Sequence, residues 1–108
     1  IENYKFTEKF DVVFSMETFY YFNNPQIVIE NIYNNALKNK GILIIGIDHY
    51  MENKTTLSWG DDYNLKLNTL SMRAWKEKFN LAGFSKIISN TVNKKEKWNG
   101  TFILLGFK

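Results

Sequence analysis

The sequence predicts an α/β domain with a mainly parallel sheet between helical layers. Two short apolar runs, Phe10–Met16 and Ile42–Ile47, flank a segment of helical periodicity, which makes a βαβ unit of roughly 40 residues. The second run, Ile42-Leu43-Ile44-Ile45-Gly46-Ile47, is apolar on both faces, as a strand covered by helices on each side requires. Two further β-rich runs, Phe84–Val92 and Thr101–Phe107, close the chain around a polar stretch and read as a hairpin. The expected order is β-α-β-loop-α-β-β in three layers, with the last strand antiparallel beside Ile42–Ile47.

The elements follow in order. Phe10-Asp11-Val12-Val13-Phe14-Ser15-Met16 is rich in β-formers. Phe19, Tyr20, Tyr21 and Phe22 form an aromatic block, and four successive rings cannot all face one cleft. Asn24 is placed to cap a helix that Pro25 opens. From Pro25 to Lys38, Val28, Ile32 and Ala36 share one stripe and Ile29, Tyr33 and Leu37 the next, a broad apolar face. Lys38 and Lys40 suit the negative end of that helix, and Gly41 reads as its stop. Asp48 to Leu70 is a long loop with room for short helical pieces. Ser71 caps a second helix whose face is Met72, Trp75, Phe79 and Ala82, ended by Gly83.

Composition bounds the chemistry. With 108 residues the chain is at most one domain. Hydrophobic residues are 44% and charged residues 23%, which excludes disorder for most of it. Cysteine is absent and His49 is the single histidine, so disulfide scaffolds and a histidine or cysteine metal site are excluded. The net charge of +3 is too small for a dedicated nucleic-acid binder. No run approaches the roughly 18 apolar residues of a membrane span. The start shows no apolar leader, so a cytoplasmic location is expected. The first residue is Ile rather than Met, which suggests a fragment.

Taken together, these segments resemble the carboxyl-terminal half of a class I S-adenosylmethionine-dependent methyltransferase domain of type 11, from about Lys9 to Lys108. Phe10-Asp11-Val12-Val13-Phe14-Ser15-Met16-Glu17 is similar to the family's fourth strand and the turn after it. Asn24-Pro25, then Leu37-Lys38-Asn39-Lys40-Gly41-Ile42-Leu43-Ile44-Ile45, resembles its fourth helix and fifth strand, departing at Asn39 and Lys40 from the usual Leu-Lys-Pro-Gly-Gly. Trp75-x-x-x-Phe79-x-x-Ala82-Gly83-Phe84 resembles the helix leading to the sixth strand. Gly100-Thr101-Phe102-Ile103-Leu104-Leu105-Gly106 resembles the seventh, inserted antiparallel beside the fifth. The resemblance implies a Rossmann-like fold, S-adenosylmethionine as cofactor and methyl transfer, with a small molecule as the expected acceptor. The Gly-rich loop that binds the cofactor in this family has no counterpart among the six glycines here. Cofactor binding by this chain alone is therefore in question, and a non-catalytic α/β fragment or interaction module is the alternative.

The candidate site gathers at the carboxyl ends of the two parallel strands, where open α/β sheets bind ligands. By resemblance, Ser15, Met16 and Glu17 face the cofactor. Glu17 could also serve as a general base, against the commoner reading of a solvated carboxylate. His49, after the second strand, could deprotonate a substrate near neutral pH, against the commoner reading of an exposed loop residue. Tyr20 and Tyr21 suit a site lip, since aromatic faces stabilise a sulfonium cation. Tyr50 and Trp59 complete the substrate candidates, and Trp59 would otherwise anchor its loop. Lys94-Lys95-Glu96-Lys97-Trp98 reads as a polar hairpin loop rather than a nucleic-acid surface. The run Phe10–Met16 should form an open sheet edge, paired by a missing amino-terminal half or a second copy, or covered by Ile1–Glu8.

Overall fold

The computed structural model describes residues 3–108. Four strands form one sheet in the order β1-β2-β4-β3: β1 (Phe10–Met16), β2 (Leu37–Ile47), β3 (Lys86–Val92) and β4 (Thr101–Phe107). β1 and β2 are parallel, Val13 opposite Leu43 and Met16 opposite Gly46. β4 runs antiparallel to β2, with Ile45 opposite Leu104, and β3 runs antiparallel to β4. The strand order, the parallel pair and the inserted antiparallel strand are those expected from the sequence.

Between β1 and β2 the chain forms α1 (Pro25–Asn31), which runs into a π-helical turn at Ile32–Ala36. Asn24 Oδ1 accepts from the Ile27 N–H, so the expected cap is in place. Val28, Ile29, Ile32, Ala36 and Leu37 are buried, which confirms the apolar face. The helical segment ends at Ala36, short of the expected Lys38, and Gly41 is not its stop. Leu37 is already extended, with its N–H on the Ile32 carbonyl. Lys40, not Gly41, takes the left-handed conformation, at φ 67°. Gly41 is needed for another reason: a Cβ there would stand 2.8 Å from the Lys38 carbonyl oxygen.

A short α-helix, α2 (Trp59–Asp62), and a 3-10 turn at Lys54–Thr56 interrupt the long loop. Then α3 (Met72–Ala82) starts at Ser71, whose hydroxyl accepts from the Ala74 N–H, and ends at Gly83, φ 111°. Trp75 and Phe79 are fully buried. β3 begins at Lys86 instead of Phe84. Phe84 packs on Phe79 and Tyr33, ring centroids 5.1 and 4.9 Å away, and Ser85 makes the turn onto the Phe107 carbonyl.

α1 and α3 pack together against one face of the sheet. That face carries Leu43, Ile45, Ile47, Phe102 and Leu104, all at 1% exposure or less. Gly106 belongs to it too, and Phe79 and Phe84 fill the space where its side chain would be: a Cβ would lie 2.7 Å from Phe79. Gly106→Ala should therefore cost about 1–3 kcal/mol by overpacking, read as a lowered urea midpoint at unchanged m-value.

The opposite face has no helix over it among the described residues. Val12 is 51% exposed, Phe14 62% and Met16 43%. Across the register they continue into Ile42 and Ile44, then Leu105 and Ile103, and reach Ile88 on β3. The chain thus builds the sheet and one helical layer of the three-layer sandwich. β1 is also an edge strand, with no strand on its outer side among the described residues. Asn3 to Glu8 do not pair with that edge. The Tyr4 carbonyl accepts from Asn31 and Phe6 packs on the core. Ile1 and Glu2 of the expected cover lie outside the described residues.

Candidate functional site

The carboxyl ends of β1 and β2 come together as the parallel pairing requires. The Glu17 N–H donates to the Gly46 carbonyl at 2.7 Å, one step beyond the last paired residues of the ladder. Glu17 has φ 56°, a left-handed conformation that costs a non-glycine residue about 1–3 kcal/mol. The Tyr20 hydroxyl donates to Glu17 Oε2 at 2.8 Å, while Oε1 is buried without a hydrogen-bond partner among the described residues. Burial pushes the Glu17 carboxyl above the usual range; the Tyr20 hydroxyl opposes this, the nearby Asp48 charge reinforces it, and a hydrogen bond from the Asp48 backbone opposes it. Tyr20 is itself pushed up by burial and by Glu17.

The sign of the Glu17 shift gives a prediction. A carboxyl raised in the fold contributes stability below its unfolded pKa and loses it as pH rises through the folded value. Glu17→Gln keeps an acceptor for Tyr20 and removes the charge. The variant should gain on the parent between pH 4 and pH 7, by less than about 1 kcal/mol because the group is half-exposed. Urea unfolding at the two pH values measures it.

Asp48 follows β2 and accepts from the Thr101 hydroxyl at 2.6 Å. Its carbonyl accepts from Asn53 Nδ2 at 2.9 Å, and Asn53 Oδ1 accepts from the Asn99 N–H at 3.1 Å. Asn53 is fully buried and ties the loop, the end of β2 and the start of β4 together. Sequence reading missed it. The only signal was its place in a polar loop, which does not separate a buried amide from a solvated one.

Ser15 is half-buried and Met16 exposed on the open face, beside Glu17. Tyr20 is buried, and its ring lies 5.5 Å from His49. Tyr21 is the exposed tyrosine of the aromatic block, 48% exposed with its ring packed on Tyr20 at 4.7 Å, while Phe19 is buried in the core. His49 is 1% exposed and not a solvated loop residue. Its Nδ1 lies 3.0 Å from the Thr56 carbonyl and its Nε2 2.7 Å from the Thr69 hydroxyl. A carbonyl can only accept, so Nδ1 carries the proton and Nε2 accepts from Thr69. Neither nitrogen is presented for proton transfer, and burial pulls its pKa down. Tyr50 is fully buried, donating to the Gly100 carbonyl at 2.8 Å and accepting from Asn99. Trp59 stacks on His49, centroids 6.0 Å apart, and pairs with Trp98 at 6.3 Å. In this arrangement His49, Tyr50 and Trp59 hold the loop to the sheet, and Glu17 and Tyr21 keep exposed or unpartnered groups at the sheet end. Among the described residues no group of His, Cys, Asp or Glu could hold a metal ion, and no helix is long and apolar enough to cross a membrane.

The comparisons agree with this architecture. Residues 1–45 match the family model described as a methyltransferase domain. A chain of the complex between the Haloferax volcanii Trm112 methyltransferase activator and a methyltransferase superposes with a TM-score of 0.78, at 23% identity, over 92% of this chain and 54% of that one. An S-adenosylmethionine-dependent methyltransferase from Thermotoga maritima superposes with the same score at 18% identity, over 99% of this chain and 59% of that one. PigF, solved with SAH, superposes with a TM-score of 0.74 at 15% identity, over 95% of this chain and 32% of that one. No curated protein sequence matches the chain. The fold is therefore that of the S-adenosylmethionine-dependent methyltransferases, and the first 45 residues carry the sequence pattern of their domain. The chain spans a little over half the length of the first two of these structures.

Proposed function

We propose that this chain is the carboxyl-terminal half of an S-adenosylmethionine-dependent methyltransferase domain. The carrying observation is the strand order β1-β2-β4-β3 with Glu17 and Asp48 side by side at the carboxyl ends of the parallel pair. The residues present fit one wall of a cofactor site. The Glu17 carboxylate is an acceptor for a cationic amino group, and the backbone of Ser15 and Met16 lines the same end of β1. S-adenosylmethionine would supply an electrophilic methyl group whose departure leaves a neutral thioether.

The chain's own part is positioning. Tyr20 fixes the Glu17 carboxylate, whose raised pKa suits it to take a proton from an acceptor hydroxyl or amine. Tyr21 offers an exposed ring to the acceptor side. His49, Tyr50 and Trp59 act by holding the loop that closes the site. A small-molecule acceptor in the cytoplasm fits the modest charge of the chain. The outer edge of β1 is the natural seat of the half that supplies the remaining cofactor contacts.

Nuclear magnetic resonance of the chain with S-adenosylmethionine at millimolar concentration tests this reading. Shifts concentrated at Ser15–Glu17 and Asp48 are expected, weakened in Glu17→Gln. No shifts, or shifts elsewhere, would overturn it in favour of a non-catalytic module, a second reading that the bare sheet face and edge support.

A further inference from the structure

The hairpin loop between β3 and β4 is placed differently from an ordinary solvated turn. β4 runs antiparallel to β2, so its first residues lie at the carboxyl end of β2, on the same side of the sheet as Glu17 and Asp48. There the loop meets the segment after β2 across a hollow of about 280 Å³. Lys54 stands on one side of it, and Lys94, Lys95 and Lys97 on the other. Trp98 lines it as a half-buried ring, paired with Trp59. Asn53 and Asn99 also line it and bond to each other, and Asn53 donates to the Asp48 carbonyl. The hollow is thus one residue removed from the candidate methyl-transfer site.

Its charge is unbalanced. Four lysines line it against one carboxylate, Glu52, which already accepts from the Met72 N–H. The single ion pair among the described residues is Lys38 with Asp11, so none of the four lysines has an acidic partner among them. Like charges gathered around a concavity repel, and an anion seated among them relieves that repulsion. The Thr55 hydroxyl donates to the Lys97 carbonyl, which fixes the lysine-bearing loop to the opposite wall. Trp98 adds a flat apolar face for a ring attached to the anionic group.

We propose that this hollow is an anion-binding subsite for a phosphate-bearing small molecule, and that this molecule is the methyl acceptor. The second clause rests on the methyl-transfer reading above; the first does not. A compact polyanion matches a small hollow lined by four lysines, and the hollow is too small for the continuous basic groove that a nucleic acid needs.

Titration of inorganic pyrophosphate into the chain, followed by tryptophan fluorescence and by heat, tests the subsite. Saturable one-to-one binding that weakens with added salt is expected. The Lys94→Gln/Lys97→Gln variant should bind at least tenfold more weakly, while Lys40→Gln/Lys86→Gln, at the other end of the sheet, should match the parent. Unsaturable binding, or equal losses in both double variants, would overturn the subsite. Tighter binding of a single-stranded RNA oligonucleotide through the same lysines would overturn its assignment to a small molecule. The assay contains no S-adenosylmethionine. Its failure leaves methyl transfer standing, and failure of cofactor binding leaves the subsite standing.

Discussion

His49→Ala should lower the melting temperature by roughly 10–30 °C. The imidazole is buried, and it bonds the Thr56 carbonyl and the Thr69 hydroxyl at once. Alanine leaves both groups without a partner and opens a void beneath Trp59. The unmade bonds cost about 1–3 kcal/mol and the cavity adds to that, for a total of about 2–4 kcal/mol. In a domain of about 100 residues each kcal/mol moves the midpoint by roughly 4–8 °C. The parent should also lose stability in acid. A histidine whose pKa is depressed in the fold contributes stability above its unfolded value, near 6.5, and loses it as pH falls through the folded value. The slope from this one group is at most about 1.4 kcal/mol per pH unit. Calorimetry from pH 7.5 to pH 5 checks both. A variant with the same acid slope as the parent would assign the loss to other groups.

The isolated chain should associate with itself, and Val12→Lys with Phe14→Glu should make it monomeric. Both side chains stand more than half exposed on the open face, continuous with Ile42, Ile44, Leu105 and Ile103, and on a strand whose outer edge is unpaired among the described residues. An apolar face of this kind joined to an open edge is a template for pairing. Sedimentation over a concentration series should show association weakened at least tenfold by the two charges. Their effect on stability should be small, since neither residue packs on the helical layer. A parent that stays monomeric at millimolar concentration would remove the half-domain argument.

What the sequence disclosed follows from the range over which each signal acts. Periodicity and caps are local, so α3 was legible from Ser71 to Gly83, and β1 and β4 to the residue. The end of α1 was not. The helix gives way to a π turn and then to β2, the left-handed position falls on Lys40, and Gly41 lies against the Lys38 carbonyl. A Cβ at Gly41 would also stand 3.3 Å from the Asp11 carbonyl on β1, a tertiary contact that leaves no local mark. The site was legible as a place, since parallel strands put Glu17 and Asp48 at one end of the sheet. The duties of individual side chains were not. His49 and Tyr50 follow a strand end just as Glu17 does, yet each turns inward, because the loop folds back and Leu70 accepts from the Met51 N–H. Asn53 and the seating of the lysine loop depend on residues more than 40 positions apart.

The position of β2 has a consequence for how the molecule opens. It is flanked on both sides, by β1 and by β4, while β1 and β3 each have one neighbour among the described residues. Amide hydrogen exchange should therefore be graded across the sheet, slowest through Leu43–Ile47 and at the β4 residues bonded on both sides. In β1 it should alternate. Residues whose N–H points toward β2 exchange only when the strand detaches, and their neighbours, pointing outward, exchange at nearly the rate of an unfolded chain. Any partner that adds a strand at this edge would erase the alternation, so a period-two pattern along seven residues becomes a direct gauge of whether the edge is occupied.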